Sequence, residues 1–124
     1  MLYGLPGFVQ EAAATALTEQ RNASQQMRDI YLRRCNLVCA ELAKANRLVV
    51  LKPEAAMYVM VDVRGYDMTS ADFCRELFEN TGVAVLDAGA FGESARGWVR
   101  ISFTLGEEQL VEGCRRITEF LRSR

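Results

Sequence analysis

The chain has 124 residues, half of them hydrophobic and a quarter charged, with a formal net charge of −1 and no histidine. That length suits one domain burying roughly two-thirds of its unfolded surface, and the balanced charge lacks the basic footprint of a nucleic-acid or anionic-membrane binder. Without histidine, Ser-His-Asp and Cys-His devices and any imidazole general base are excluded, and no apolar run approaches the ~20 residues of a membrane helix.

Between Gly7 and Pro53 there is no glycine or proline, and the stretch predicts helix almost throughout. The first helix starts near Pro6 and carries a narrow apolar stripe of Phe8, Val9, Ala12, Ala13, Ala16 and Leu17. Asn22, with Gln25 three residues on, is the expected N-cap of a second helix that runs to about Asn46. Its stripe is Met27, Tyr31, Cys35, Val38 and Leu42. A short strand follows at 48–51, and Pro53-Glu54 breaks the chain. Met57, Val59, Val61 and Val63 then alternate with Tyr58, Met60 and Asp62, the pattern of a half-buried strand.

Thr69-Ser70-Ala71-Asp72 is a capping box opening a third helix, with Phe73, Cys74, Leu77 and Phe78 apolar and Gly82 as its C-terminal cap. A strand is expected at 83–86, a loop at 87–97, a strand at 98–104 and a last helix from about 106 to 121. The order is α-α-β-β-α-β-β-α. Strands this short and few predict an α+β fold, a small and mainly antiparallel sheet with helices packed on one face. Residues 1–124 read as a single domain, with 1–20 a linker and first helix and 21–124 the body.

Candidate chemistry is confined to one place, the run Gly89-Ala90-Phe91-Gly92-Glu93-Ser94-Ala95-Arg96-Gly97-Trp98-Val99-Arg100-Ile101-Ser102-Phe103. Val99, Ile101 and Phe103 share one strand face, and Trp98, Arg100 and Ser102 the other. A strand thus holds the Arg100 guanidinium beside a glycine-rich loop, a suitable grip for a carboxylate because a guanidinium donates two parallel hydrogen bonds to it. Phe91, Gly92 and Trp98 are candidate walls of such a site. Tyr58 reads as a buried strand aromatic with a bonded hydroxyl, and Arg33-Arg34 and Arg115-Arg116 as solvated helix faces. Cys35, Cys39, Cys74 and Cys114 contain no Cys-x-x-Cys pair and read as free, buried or half-buried thiols of a reducing cytoplasm, with no metal site.

In order, these segments resemble the C-terminal part of fold-type I pyridoxal-phosphate aminotransferases of the aspartate aminotransferase class. Leu5-Pro6-Gly7-Phe8-Val9-Gln10-Glu11-Ala12-Ala13 is similar to the family's hand-over from large to small domain, and Arg28 to Leu42 to the long helix after it. Lys52-Pro53-Glu54-Ala55-Ala56-Met57-Tyr58 resembles the strand entry usually written Pro-x-Gly-Gly-Phe-Tyr. Val83-Ala84-Val85 through Phe91-Gly92, then Gly97 to Phe103, resembles the most recognisable C-terminal signature. The run Met57 to Arg64 looks most similar to enzymes using arginine with pyruvate.

The resemblance implies that Arg100 pairs with the α-carboxylate of an amino acid or 2-oxo acid. It also implies pyridoxal phosphate as cofactor of the full-length enzyme, with none bound to this chain. The family's Schiff-base lysine lies in a Ser-x-x-Lys-type segment, and neither Lys44 nor Lys52, the only lysines, lies in one. The chain therefore reads as a C-terminal piece, inactive alone and without catalytic residues of its own, whose opening Met1-Leu2-Tyr3-Gly4-Leu5-Pro6 is an internal linker. Its expected partners are the missing large domain and a second copy of itself, because the bare stripe of the first helix favours a homo-oligomer. Two departures stand out. Asp87-Ala88 replaces the family's Pro-Gly, which puts the loop conformation in question because alanine tolerates positive φ poorly, and Ala55-Ala56 replaces the glycine pair. The competing reading is an independent α/β module that uses Arg100 to bind or sense an acidic small molecule.

Overall fold

The structure, a computed structural model, describes residues 4–19 and 21–124. Met1, Leu2 and Tyr3 of the opening segment lie outside the described residues. The chain divides into two compact units between Ile30 and Tyr31.

The first unit holds α1 (Gly7–Glu19) and the start of α2 (Arg21–Leu42). The Pro6 carbonyl accepts the Val9 and Gln10 amides, so proline starts α1 as expected. No residue of α1 is buried, and Phe8 and Leu17 of its stripe are 75% and 77% exposed. Helix α2 begins at Arg21, so Asn22 lies inside its first turn and does not cap it.

The second unit contains a four-stranded sheet: β1 (Val49–Leu51), β2 (Tyr58–Asp62), β3 (Leu86–Asp87) and β4 (Trp98–Ser102). The spatial order is β1-β2-β4-β3, and every pairing is antiparallel. Helix α3 (Ser70–Thr81) lies between β2 and β3 in sequence, and α4 (Glu107–Arg122) follows β4. The α+β class and the antiparallel sheet are as the sequence predicts.

The alternation in β2 and β4 decides which face is core. Val59, Val61, Val99 and Ile101 are buried, and they cluster with Val38 and Leu42 of α2, Phe73 and Leu77 of α3, and Leu110, Ile117 and Leu121 of α4. Edge-to-face pairs, Tyr31 with Phe103 and Phe73 with Phe120, tie helices into this core. Within this unit, α3, α4 and the later part of α2 thus pack on one face. The other face carries Tyr58, Met60, Asp62, Trp98, Arg100 and Ser102, none of them buried.

Local chemistry sets the element ends. The Thr69 hydroxyl accepts the Asp72 amide at 3.1 Å and donates to the Asp72 carboxylate at 2.7 Å, closing the capping box at α3. Gly82 ends α3 at φ 72° with its amide on the Phe78 carbonyl. The strand expected at 83–86 is shorter, pairing only at Leu86 and Asp87. The Val83 amide is taken by the Thr81 hydroxyl at 3.2 Å, so the segment leaves α3 in a helix-end turn, and Val83 and Val85 pack against the core without ladder bonds. The four cysteines are free; Cys35 and Cys114 are buried, Cys39 and Cys74 half-buried. Among the described residues no helix is long and apolar enough to cross a membrane, and no three His, Cys, Asp or Glu side chains gather as metal ligands.

Candidate functional site

Arg100 is the middle residue of β4, a central strand. It faces Met60 of β2 on one side and Leu86 of β3 on the other. Its side chain therefore rises from the middle of the sheet face opposite the core, where a long side chain also reaches its diagonal neighbours. Tyr58 is such a neighbour, set opposite Ser102. The Arg100 guanidinium carbon lies 4.2 Å from the centre of the Tyr58 ring and 5.0 Å from that of Phe91.

The loop after β3 delivers Phe91. The Asp87 carboxylate accepts the Gly89 amide at 2.9 Å and starts a 3-10 turn over Ala88–Phe91, closed by the Gly92 amide on the Gly89 carbonyl at 3.2 Å. A second turn spans Glu93–Ala95, and Gly97 at φ 78° returns the chain to β4. Asp87 sits at φ −62°, a value that proline also adopts, and Ala88 is fully buried in the turn without positive φ. The Asp87-Ala88 replacement thus leaves the loop free of the strain its sequence suggests. The strain falls instead on Ala56, at φ 69°.

Trp98 shares the face of Arg100 and lies opposite Asp62. The Arg64 guanidinium is 5.9 Å from the Trp98 ring and grips Asp62, holding its carboxyl below the usual aspartate range, chiefly by that side-chain hydrogen bond. Phe91 is 59% exposed and Gly92, at φ 131°, is exposed, so both border open space beside Arg100. Sequence reasoning singles out Arg100, Phe91, Gly92 and Trp98, and it misses Tyr58 as a partner of Arg100. Tyr58 is half-buried, and among the described residues its hydroxyl has no hydrogen-bond partner.

Among the described residues, no acceptor claims the donors of Arg100. None of the ion pairs among the described residues uses it. Among the described residues, the arginine side chains that donate hydrogen bonds are those of Arg28, Arg34, Arg64, Arg75, Arg115 and Arg116. Arg34, expected on a solvated face, instead donates to the Thr104 carbonyl at 2.8 Å, with its Nε buried. Arg115 and Arg116 are exposed and pair with Glu112, as a solvated face would.

The model of the family described as aminotransferase class I and II matches residues 1–117. The chain belongs to that family. Arginine–pyruvate transaminase AruH of Pseudomonas aeruginosa is 44% identical over 117 residues, covering 94% of this chain and 30% of that protein. An aspartate aminotransferase of Pyrococcus abyssi is 35% identical over 119 residues, again 94% of this chain and 30% of the relative. Among solved structures, the aromatic aminotransferase of Pyrococcus horikoshii superposes with a TM-score of 0.89 at 36% identity, covering 94% of this chain and 32% of that one. An aspartate aminotransferase of Thermus thermophilus with maleate gives 0.80 at 31% identity, with 89% and 28% covered. The chain therefore spans about 30% of the length of the curated aminotransferases it matches.

Proposed function

We propose that this chain is the C-terminal, substrate-carboxylate-binding part of a pyridoxal-phosphate aminotransferase that moves an amino group between an amino acid and a 2-oxo acid. The observation that carries the reading is the Arg100 guanidinium, held mid-sheet on the face opposite the core, with its donors unclaimed by any described residue. A carboxylate meets those donors edge-on in two parallel hydrogen bonds, a geometry that a lysine ammonium does not offer. A related enzyme studied with maleate, a dicarboxylate, supports the ligand class. The 44% identity to an arginine–pyruvate transaminase supports arginine and pyruvate as the substrate pair.

The residues present do not form a site for the cofactor. Lys44 pairs with Glu41 at 2.6 Å, and it lines a cavity of about 230 Å³ with Thr118 and Leu121 of α4, on the helix side of the sheet. Lys52 follows the edge strand β1, separated from β4 by β2. No lysine stands beside Arg100 to form a Schiff base, so the cofactor's lysine belongs to polypeptide outside these residues. The apolar outer face, with Val49, Leu51, Leu86 and Phe91 exposed, together with the bare stripe of α1, suits burial against that polypeptide and against a second subunit.

The test is a transplant. Residues 1–117 replace the corresponding segment of the Pseudomonas transaminase, and cofactor absorbance and amino-acid turnover are measured beside the 124-residue chain alone. The reading predicts turnover by the chimera, and neither a visible aldimine band nor turnover by the isolated chain. A chimera that folds and holds cofactor yet fails to transaminate supports the independent module instead.

A further inference from the structure

We infer that Tyr58 and Phe91 are positioning residues for Arg100, two rings that cover the faces of its guanidinium and leave the donor edge for an incoming carboxylate. The inference rests on the carboxylate-binding reading above and adds how the arginine is held.

The topology brings the rings from opposite sides. Tyr58 stands on β2, which flanks β4 on one side; Phe91 ends the turn after β3, which flanks it on the other. Their centres lie 4.2 and 5.0 Å from the guanidinium carbon, both within cation–π range. A neighbouring carboxylate could also steady an arginine, but it would occupy the N–H groups that a ligand needs. A ring attracts the cation through its π-face and leaves the in-plane donors unused. An arginine already ordered this way loses less side-chain freedom when its ligand arrives. The device also gives the 87–92 turn a purpose, since its Asp87–Gly89 and Gly92–Gly89 hydrogen bonds fix the base of Phe91.

The experiment is side-chain NMR on the full 124-residue chain, following the Arg100 Nε–Hε resonance, with pyruvate as the carboxylate probe. Without ligand, wild type is expected to show a ring-shifted Arg100 signal with restricted motion. Phe91→Leu and Tyr58→Leu should each return that shift toward the free-arginine position and lower the Nε order parameter below about 0.6. Pyruvate affinity should fall roughly two- to fivefold per ring. Tyr58→Phe and Phe91→Tyr, which keep the rings, should restore the wild-type signal. The amides of Val59, Val61, Val99 and Ile101 on the core face should stay in place in all four variants, which separates positioning from general damage. An Arg100 signal unchanged in both leucine variants overturns the clamp, even where wild type still binds pyruvate through Arg100. A ring-dependent signal with no response to pyruvate leaves the clamp standing and removes the carboxylate reading.

Discussion

Arg64 grips Asp62 through both carboxylate oxygens, with Nε 2.9 Å from Oδ1 and Nη2 2.5 Å from Oδ2, and its stem passes over Gly97. A Cβ on Gly97 would collide with Arg64 Cγ and Cδ, at a backbone φ of 78°. Gly97→Ala is therefore expected to destabilise the chain by about 1–3 kcal/mol in urea unfolding. In an Arg64→Ala background the clash disappears and only the backbone cost remains, so the same substitution should cost less there. Equal costs in the two backgrounds would show that Arg64 does not press on Gly97.

Ala56 offers the opposite case. It is held at φ 69°, which costs an L-residue about 1–2 kcal/mol, whereas glycine's extra chain entropy costs about 0.5–1 kcal/mol. Ala56→Gly is expected to stabilise by about 0.5–1 kcal/mol, read as a raised urea midpoint with an unchanged slope. A lowered midpoint would contradict the left-handed conformation at this position.

Acid should loosen the fold through paired carboxylates. Hydrogen bonds from Arg115 and Arg116 pull the Glu112 carboxyl from an ordinary 4.5 to about 2, and Arg64 lowers that of Asp62. Both groups bind protons more weakly when folded, so their stabilisation is full above the unfolded value and drains away as pH falls through the folded one. The unfolding midpoint should hold steady above about pH 5 and drop from about 4.5 toward about 2. Glu112→Gln should flatten part of that drop. The effect is small and salt-sensitive because the pairs are exposed. An identical acid profile in the variant would remove Glu112 from the account.

Burial should quiet the thiols. It pushes the Cys39, Cys74 and Cys114 thiols from 9.0 up to about 11, so each holds about a hundredth of the ordinary thiolate fraction near pH 8. Alkylation of the native chain should be slow and should accelerate on unfolding in denaturant. Native labelling of these three at the rate of a free thiol would contradict their placement.

The face of each strand was legible in the alternation of Val59, Val61, Val99 and Ile101, and the α3 cap in the chemistry of Thr69 and Asp72. The same alternation made legible that Arg100 lies on the strand face away from the core. Tyr58 as its neighbour was not, because that contact depends on the register between β2 and β4, which no local pattern encodes. The length of β3 escaped for a similar reason. Val83 and Val85 are apolar enough for a strand, but the Thr81 hydroxyl takes the first amide and Asp87 turns the chain two residues after Val85. Arg34 looked solvated because its acceptor, the Thr104 carbonyl, lies 70 residues away.

The most direct test of the central claim is kcat/KM for the α-amino acid in the chimeric transaminase, with and without Arg100→Lys. Loss of one partner of a desolvated charge pair costs about 2–5 kcal/mol, which corresponds to a fall of roughly thirtyfold to several-thousandfold. Lysine keeps the charge and loses the bidentate grip, so most of that fall should remain, with cofactor absorbance unchanged. Near-wild-type turnover by the Arg100→Lys enzyme would contradict Arg100 as the carboxylate-binding residue.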